Sequence, residues 1–452
     1  MKCVIKKYLQ CGPLFVLLFS GLLLTSCNQQ PKETFPDGTV IPKWFADTTK
    51  VDVSMLGKMY SIADYGAIAD DSTLNTQAIQ KLIDKVSADG GGVIVVPKDT
   101  FMSGALFFKP GTHLHVEEGG MLKGSDEIAN YPVQPSRMEG QNLDYFPALV
   151  NAYHVPGFTI TGKGTIDGNG KKYWEAFWQR RRENPQCTNL EVSRPRLVFI
   201  WGCDNVYIQD VHLQNTGFWT THLYQCNYTK ILDVNIFAPR RPVPAPSSDA
   251  LDLDVCSNVL VRGCYMSVND DAIALKGGKG PYADEDPNNG PNMNILIENN
   301  TFGFCHSALT CGSESIHDRN ILMRNCKVDD VARLIHLKMR PDTPQKYEYV
   351  TMEGIEGSGN NCIYIQPWRQ FYDLKGRKTP PPSVSENITF KNITMKVRSF
   401  TSIGITENDK LKNFTFENMS IEAQNPKIDT SVFDGLVIKD VVINGQPLPN
   451  TN

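Results

Sequence analysis

From about residue 200 onward the chain repeats one short alternation of apolar and polar positions. It reads Val206-Tyr207-Ile208-Gln209-Asp210-Val211, then Ile231-Leu232-Asp233-Val234-Asn235-Ile236, then Val259-Leu260-Val261-Arg262-Gly263-Cys264. Further copies fall at 295–302, 321–328, 388–393, 414–419 and 436–441. Alternation at period two marks a strand that buries one face. Aligning Val211, Val234, Cys264, Asn300 and Cys326 gives spacings of 23, 30, 36 and 26 residues. A constant strand motif at irregular spacing predicts one coil per repeat, with loops of varying length; propeller blades would be evenly spaced and a sandwich would show hairpin turns. A second series follows the first within each coil: Leu251-Asp252-Leu253, Ile273-Ala274-Leu275, Leu309-Thr310-Cys311, Ile335-His336-Leu337 and Ile363-Tyr364-Ile365. The expectation is an all-β chain, a right-handed parallel β-helix in one domain. Before the repeats, Ala78, Ile79, Leu82 and Ile83 stand at helical spacing, and Gly90-Gly91-Gly92 leads into the apolar run 93–96. An N-terminal capping helix there would hide the open end of the solenoid.

The remaining features divide the chain. With 452 residues, 41% hydrophobic and 21% charged, the composition is that of a folded globular protein. A basic start (Lys2, Lys6, Lys7) precedes an apolar run over 13–24 that is too short for a mature membrane span. It reads as a secretory signal, and its end, Leu24-Thr25-Ser26-Cys27, resembles a bacterial lipobox. The expected organisation is a lipoprotein-type signal peptide over 1–26, a polar tether over 27–48, and the β-helix over 49–452. Cys27 would then carry the lipid, holding a monomer at a bacterial cell envelope; a plain secretory signal or an uncleaved anchor is the alternative. Loss of residues 1–26 removes three lysines and takes the formal charge from −4 to −7. No basic tract or binding motif points to nucleic acid. Of twelve cysteines, three stand at or before position 27; the odd remainder leaves at least one thiol without an internal partner. No CxxC suggests a metal site. Cys203, Cys226 and Cys256 each precede a similar strand, which suits a ladder of stacked small side chains, with a disulfide among them as the alternative.

With the aliphatics of the second series inward, Asp252, Asp254, Lys276, Thr310, His336 and Lys338 face outward on one sheet. Asp249, Asp270-Asp271 and His306 stand at the entrances of three consecutive strands, with Trp219 and His222 one coil earlier. Asp249 and Asp271 lie 22 residues apart in the same local pattern, so they should stack in register at roughly 4.8 Å. Acids that close cannot all ionise, and one should hold a proton into the neutral range. A proton donor beside a base is what hydrolysis of a glycosidic bond requires. Spacing alone does not choose which acid is the donor.

These residues resemble a known family. The segment 247–254, Ser-Ser-Asp-Ala-Leu-Asp-Leu-Asp, is similar to the Asn-Thr-Asp-Gly segment of family 28 glycoside hydrolases, the polygalacturonases. The segment 269–276 resembles their Gly-Asp-Asp-Cys-Ile-Ala-Leu-Lys, Cys305-His306-Ser307 falls at their Gly-His-Gly, and His336-Leu337-Lys338 at their Arg-Ile-Lys. Gly312-Ser313-Glu314 and the glycine-rich 162–170 follow suit, so the likeness spans roughly 60–445. It implies a pectin lyase-like solenoid that cleaves galacturonan or rhamnogalacturonan by inversion without cofactor or metal. Asp270 would be the general acid, Asp249 and Asp271 would activate water, and His306 would tune the acid. Lys338, His336, Trp219, Trp368 and Arg340 would contact a pectic substrate. His336 stands where the family has arginine and cannot reproduce that bidentate fork; Arg340 or Arg333 would have to supply the cation. The rival readings are a surface glycan-binding protein without catalysis and, behind it, a calcium-dependent pectate-type lyase.

Overall fold

The structure, a computed structural model, describes residues 32–451; the basic start, the apolar run and Cys27 lie outside them. Three parallel faces wind along the chain. On the first, Tyr207–Gln209, Asn227–Leu232, Ser257–Arg262 and Pro291–Glu298 stack in sequence. On the second, His212–Gln214, Asn235–Phe237, Tyr265–Ser267 and Thr301–Phe302 do the same. The third stacks Val198–Trp201, Thr221–Tyr224, Leu251–Asp254, Ile273–Lys276 and Leu309–Cys311. The chain is a parallel β-helix, and its later coils run on as long bent strands, His317–Met339, Gln345–Pro367, Ser383–Ile403 and Asp409–Asn425. The residues aligned from sequence are equivalent: the carbonyls of Val211, Val234, Cys264 and Asn300 each accept the next coil's amide.

Sequence explains both the rungs and the corners. Leu223, Leu253, Leu275 and Leu337 point inward and are fully buried, each worth about 1.5–3 kcal/mol when removed from water. At one corner Asn258, Asn294 and Asn320 take the left-handed conformation, which asparagine tolerates better than most residues. Their amides form a ladder, Asn258 donating to Asn227 at 2.9 Å, Asn294 to Asn258 at 3.3 Å and Asn320 to Asn294 at 3.2 Å. Thr76–Ala88 is the expected helix, with Ile79, Leu82, Ile83 and Val86 buried against the first coils.

The expected cysteine ladder stands, without the disulfide that was its alternative, and one other expectation changes. The cysteines at 203, 226 and 256 are buried core residues with free thiols, as are the other six described; their Sγ atoms donate to carbonyls of the preceding coil at Ala152, Ile200 and Leu223. The stretch expected to be a polar tether up to residue 48 is docked over much of its length. Phe35 and Phe45 pack edge to face, centroids 5.3 Å apart, upon Leu232, Leu260, Leu296 and Leu322. Asp37 adds hydrogen bonds from Arg319 at 3.0 Å and Asn320 at 2.9 Å. The apolar residues in this stretch are few but find a row of outward leucines, which strand alternation alone does not reveal.

Candidate active site

The third face carries the site because its outward rows stack in register. One row runs His222, Asp252, Ala274, Thr310, His336, Tyr364; a parallel row runs Tyr224, Asp254, Lys276. Asp249 and Asp271 precede their strands by the same two positions, and the Ala250 amide donates to the Asp271 carbonyl at 3.0 Å. Asp270 lies beside Asp271, and its carbonyl accepts the His306 amide at 2.8 Å. The three carboxylates therefore converge, with one oxygen from each inside 4.8 Å of the others. They line a cleft of about 560 Å³ together with His306, Lys338, His336, Trp219 and Trp368.

The environments of the three acids differ. Asp249 and Asp271 are buried, whereas the Asp270 side chain is 28% exposed. Burial, reinforced by Asp270 and Asp252, pushes Asp249 well above the usual carboxylate range, the direction that favours its protonated form. Burial would raise Asp271 too, but Lys338 Nζ donates to its Oδ2 at 2.6 Å, and the carboxyl is held well below that range. Its other oxygen, Oδ1, is buried with no hydrogen-bond partner. His306 Nδ1 stands 3.3 Å from Asp270 Oδ1; burial opposes its charge, yet the carboxylate outweighs burial and lifts the imidazole above its ordinary value. Beneath the trio, Lys276 Nζ lies 3.2 Å from Glu314, 3.6 Å from Asp252 and 3.9 Å from Asp249, and 4.9 Å over the Trp219 ring. The trio is also a possible oxygen donor set for a divalent cation, but two ammonium groups already serve its buried members.

Arg340 is not part of the cleft. Its guanidinium grips Asp342 through Nε at 2.7 Å and Nη2 at 2.8 Å and gives Nη1 to the Gln370 carbonyl at 3.0 Å. Arg340 and Asp342 are both buried, so the expected substrate cation is a structural brace. Arg333 does line the cleft, flat on the Tyr364 ring at 4.4 Å and donating to the His306 carbonyl at 3.2 Å. His222 and Asp254 are closed off rather than open to the groove. A hairpin of Gln134–Met138 and Gln141–Tyr145 lays Arg137 on them, Nε and Nη2 reaching Asp254 at 2.9 and 3.1 Å. At its turn Glu139 enters the cleft, bonded to Asn189 at 3.0 Å and Lys279 at 3.3 Å. Sequence reasoning missed Glu139 and Lys279: the hairpin interrupts the coils, and its own alternation names no partner.

The model of glycosyl hydrolases family 28 matches residues 93–433. The chain belongs to family 28. Among its relatives are a probable polygalacturonase of Vitis vinifera, 28% identical over 49% of this chain and 45% of that protein, and an exo-poly-α-D-galacturonosidase of Dickeya chrysanthemi, 26% identical over 65% and 55%. The chain thus spans about half the length of these curated relatives. Solved structures with the same fold include an exopolygalacturonase from Thermotoga maritima, TM-score 0.73 at 22% identity, covering 86% of this chain and 93% of that one. A family 28 exopolygalacturonase of Yersinia enterocolitica gives 0.69 at 20% identity, covering 86% and 79%. Membership of family 28 accounts for the β-helix.

Proposed function

We propose that the protein hydrolyses α-galacturonosidic bonds in a pectic polysaccharide by single displacement with inversion. The observation that carries this reading is the convergence of three carboxylates in unequal environments. Asp270, the most exposed and backed by His306, protonates the departing sugar oxygen. Asp271, kept ionised by Lys338, offers its unpartnered Oδ1 to a water, and Asp249 holds that water from the other side. Neither buried acid suits direct attack on carbon, since Asp249 is pushed towards its protonated form and Asp271 is clamped by Lys338. That argument favours water as nucleophile even though the oxygens are closer than the roughly 6.5–9.5 Å usual for inversion. The upward shift of Asp249 supports a second reading, in which Asp249 is the donor.

The hairpin wall beside the cleft supports attack near a chain end, the mode in the names of the Dickeya and Thermotoga proteins. Tethering through Cys27 at the cell envelope is part of the proposal, supported by Leu24-Thr25-Ser26-Cys27. A lyase would need a cation among the acids and a free base beside them, whereas Lys276 and Lys338 already occupy those carboxylates. The assay follows directly. Galacturonan or rhamnogalacturonan treated with the protein should release reducing ends from the outset as short products, with chelator present, and without the ultraviolet absorbance of an unsaturated uronide. Absorbance that chelator abolishes would establish a lyase, and tight binding without new reducing ends a glycan-binding protein.

A further inference from the structure

His336 lines the cleft and takes no part in the reaction proposed above. It is 1% exposed, yet neither ring nitrogen has a hydrogen-bond partner among the described residues. Thr310, its neighbour in the same row one coil earlier, is buried with an equally unpartnered hydroxyl. Buried polar groups are normally satisfied, and at a cleft an unmet pair marks what the ligand must supply. Tyr364 stands edge-on to the imidazole at 4.8 Å, and half-buried Trp368 at 5.9 Å. Lys338 is paired with Asp271 and lies 4.8 Å over the Trp368 ring; Arg333 lies over Tyr364 and donates to the His306 carbonyl, with its Nε buried and unpartnered.

We propose that His336 and Trp368 form a subsite for an uncharged sugar ring, a deoxyhexose or a methyl-esterified uronate, adjoining the galacturonate at the cleaved bond. Burial, with Lys338 and Arg333 close by, keeps the imidazole well below its ordinary value and so neutral. A neutral imidazole offers one donor and one acceptor, the complement of a sugar hydroxyl. At His336 a carboxylate would leave the acceptor nitrogen facing another lone pair. The indole face suits the C–H face of a pyranose.

The inference rests on the hydrolase reading, and a binding experiment separates the two. Disaccharides with galacturonate joined to rhamnose, to methyl galacturonate or to galacturonate are titrated calorimetrically into the Asp270→Asn protein. The two uncharged partners should bind at least about tenfold more tightly than digalacturonate, and their ranking tells the two sources apart. His336→Arg should reverse that preference, while His336→Gln, which stays neutral, should keep its direction. Equal or tighter binding of digalacturonate to the protein with His336 intact would overturn the subsite and give it to Arg333 as a carboxylate clamp. That measurement stands even if His336→Arg does not fold. Failure of the hydrolase reading looks different: the expected binding order, with no reducing ends from the wild-type protein.

Discussion

Replacing Asp270 by asparagine should lower kcat by about 10²–10⁴-fold, the contribution of a positioned general acid, with KM little changed. Asparagine keeps the size and the polar contacts of the site but cannot give a proton to the leaving oxygen. An aryl galacturonide with an acidic phenol leaves without protonation, so the variant should recover most of its rate on that substrate and lose it on a sugar leaving group. Asp249→Asn should show no such recovery, because water delivery is needed whatever departs. If Asp249→Asn is the variant rescued by the good leaving group, the two roles are exchanged, in keeping with the upward shift of Asp249.

Lys338→Met should cost about 3–5 kcal/mol of stability, because it leaves Asp271 buried and ionised without its partner. The lost bond is the 2.6 Å contact between Nζ and Oδ2, with Asp271 1% exposed. Adding Asp271→Asn to Lys338→Met should restore much of the loss, since a neutral amide is easier to bury. Denaturant unfolding of the single and double variants measures both effects. The acid dependence has a definite sign. Lys338 depresses the folded-state pKa of Asp271, so the pair contributes fully above the unfolded value of about 3.9 and is lost as pH falls towards the folded one. The wild-type protein should therefore lose stability on acidification more steeply than Lys338→Met.

The coils were legible because a buried interior forces alternation wherever a strand passes. The convergence of Asp249, Asp270 and Asp271 followed from register alone, since one coil brings equivalent positions together. What the strands do not encode was harder to read. Arg340 looks like a spare cation in sequence, but a loop returns Asp342 to it two residues later. His222 and Asp254 read as groove residues until the Gln134–Met138 hairpin covers them with Arg137. Phe35 and Phe45 sit in a polar stretch, and their seat, four leucines from four coils, exists only once the solenoid is wound. For Arg340, His222 and Asp254 the deciding partner comes from an interruption of the repeat, where periodicity carries no information.

The stereochemistry of the first product tests the central idea most directly, that water, held by Asp249 and Asp271, attacks as Asp270 gives up its proton. Proton NMR of the anomeric signals, recorded before mutarotation, should show the β-anomer released from the α-linked substrate. Initial release of the α-anomer would mean that one of the acids attacks carbon itself, and would contradict the account.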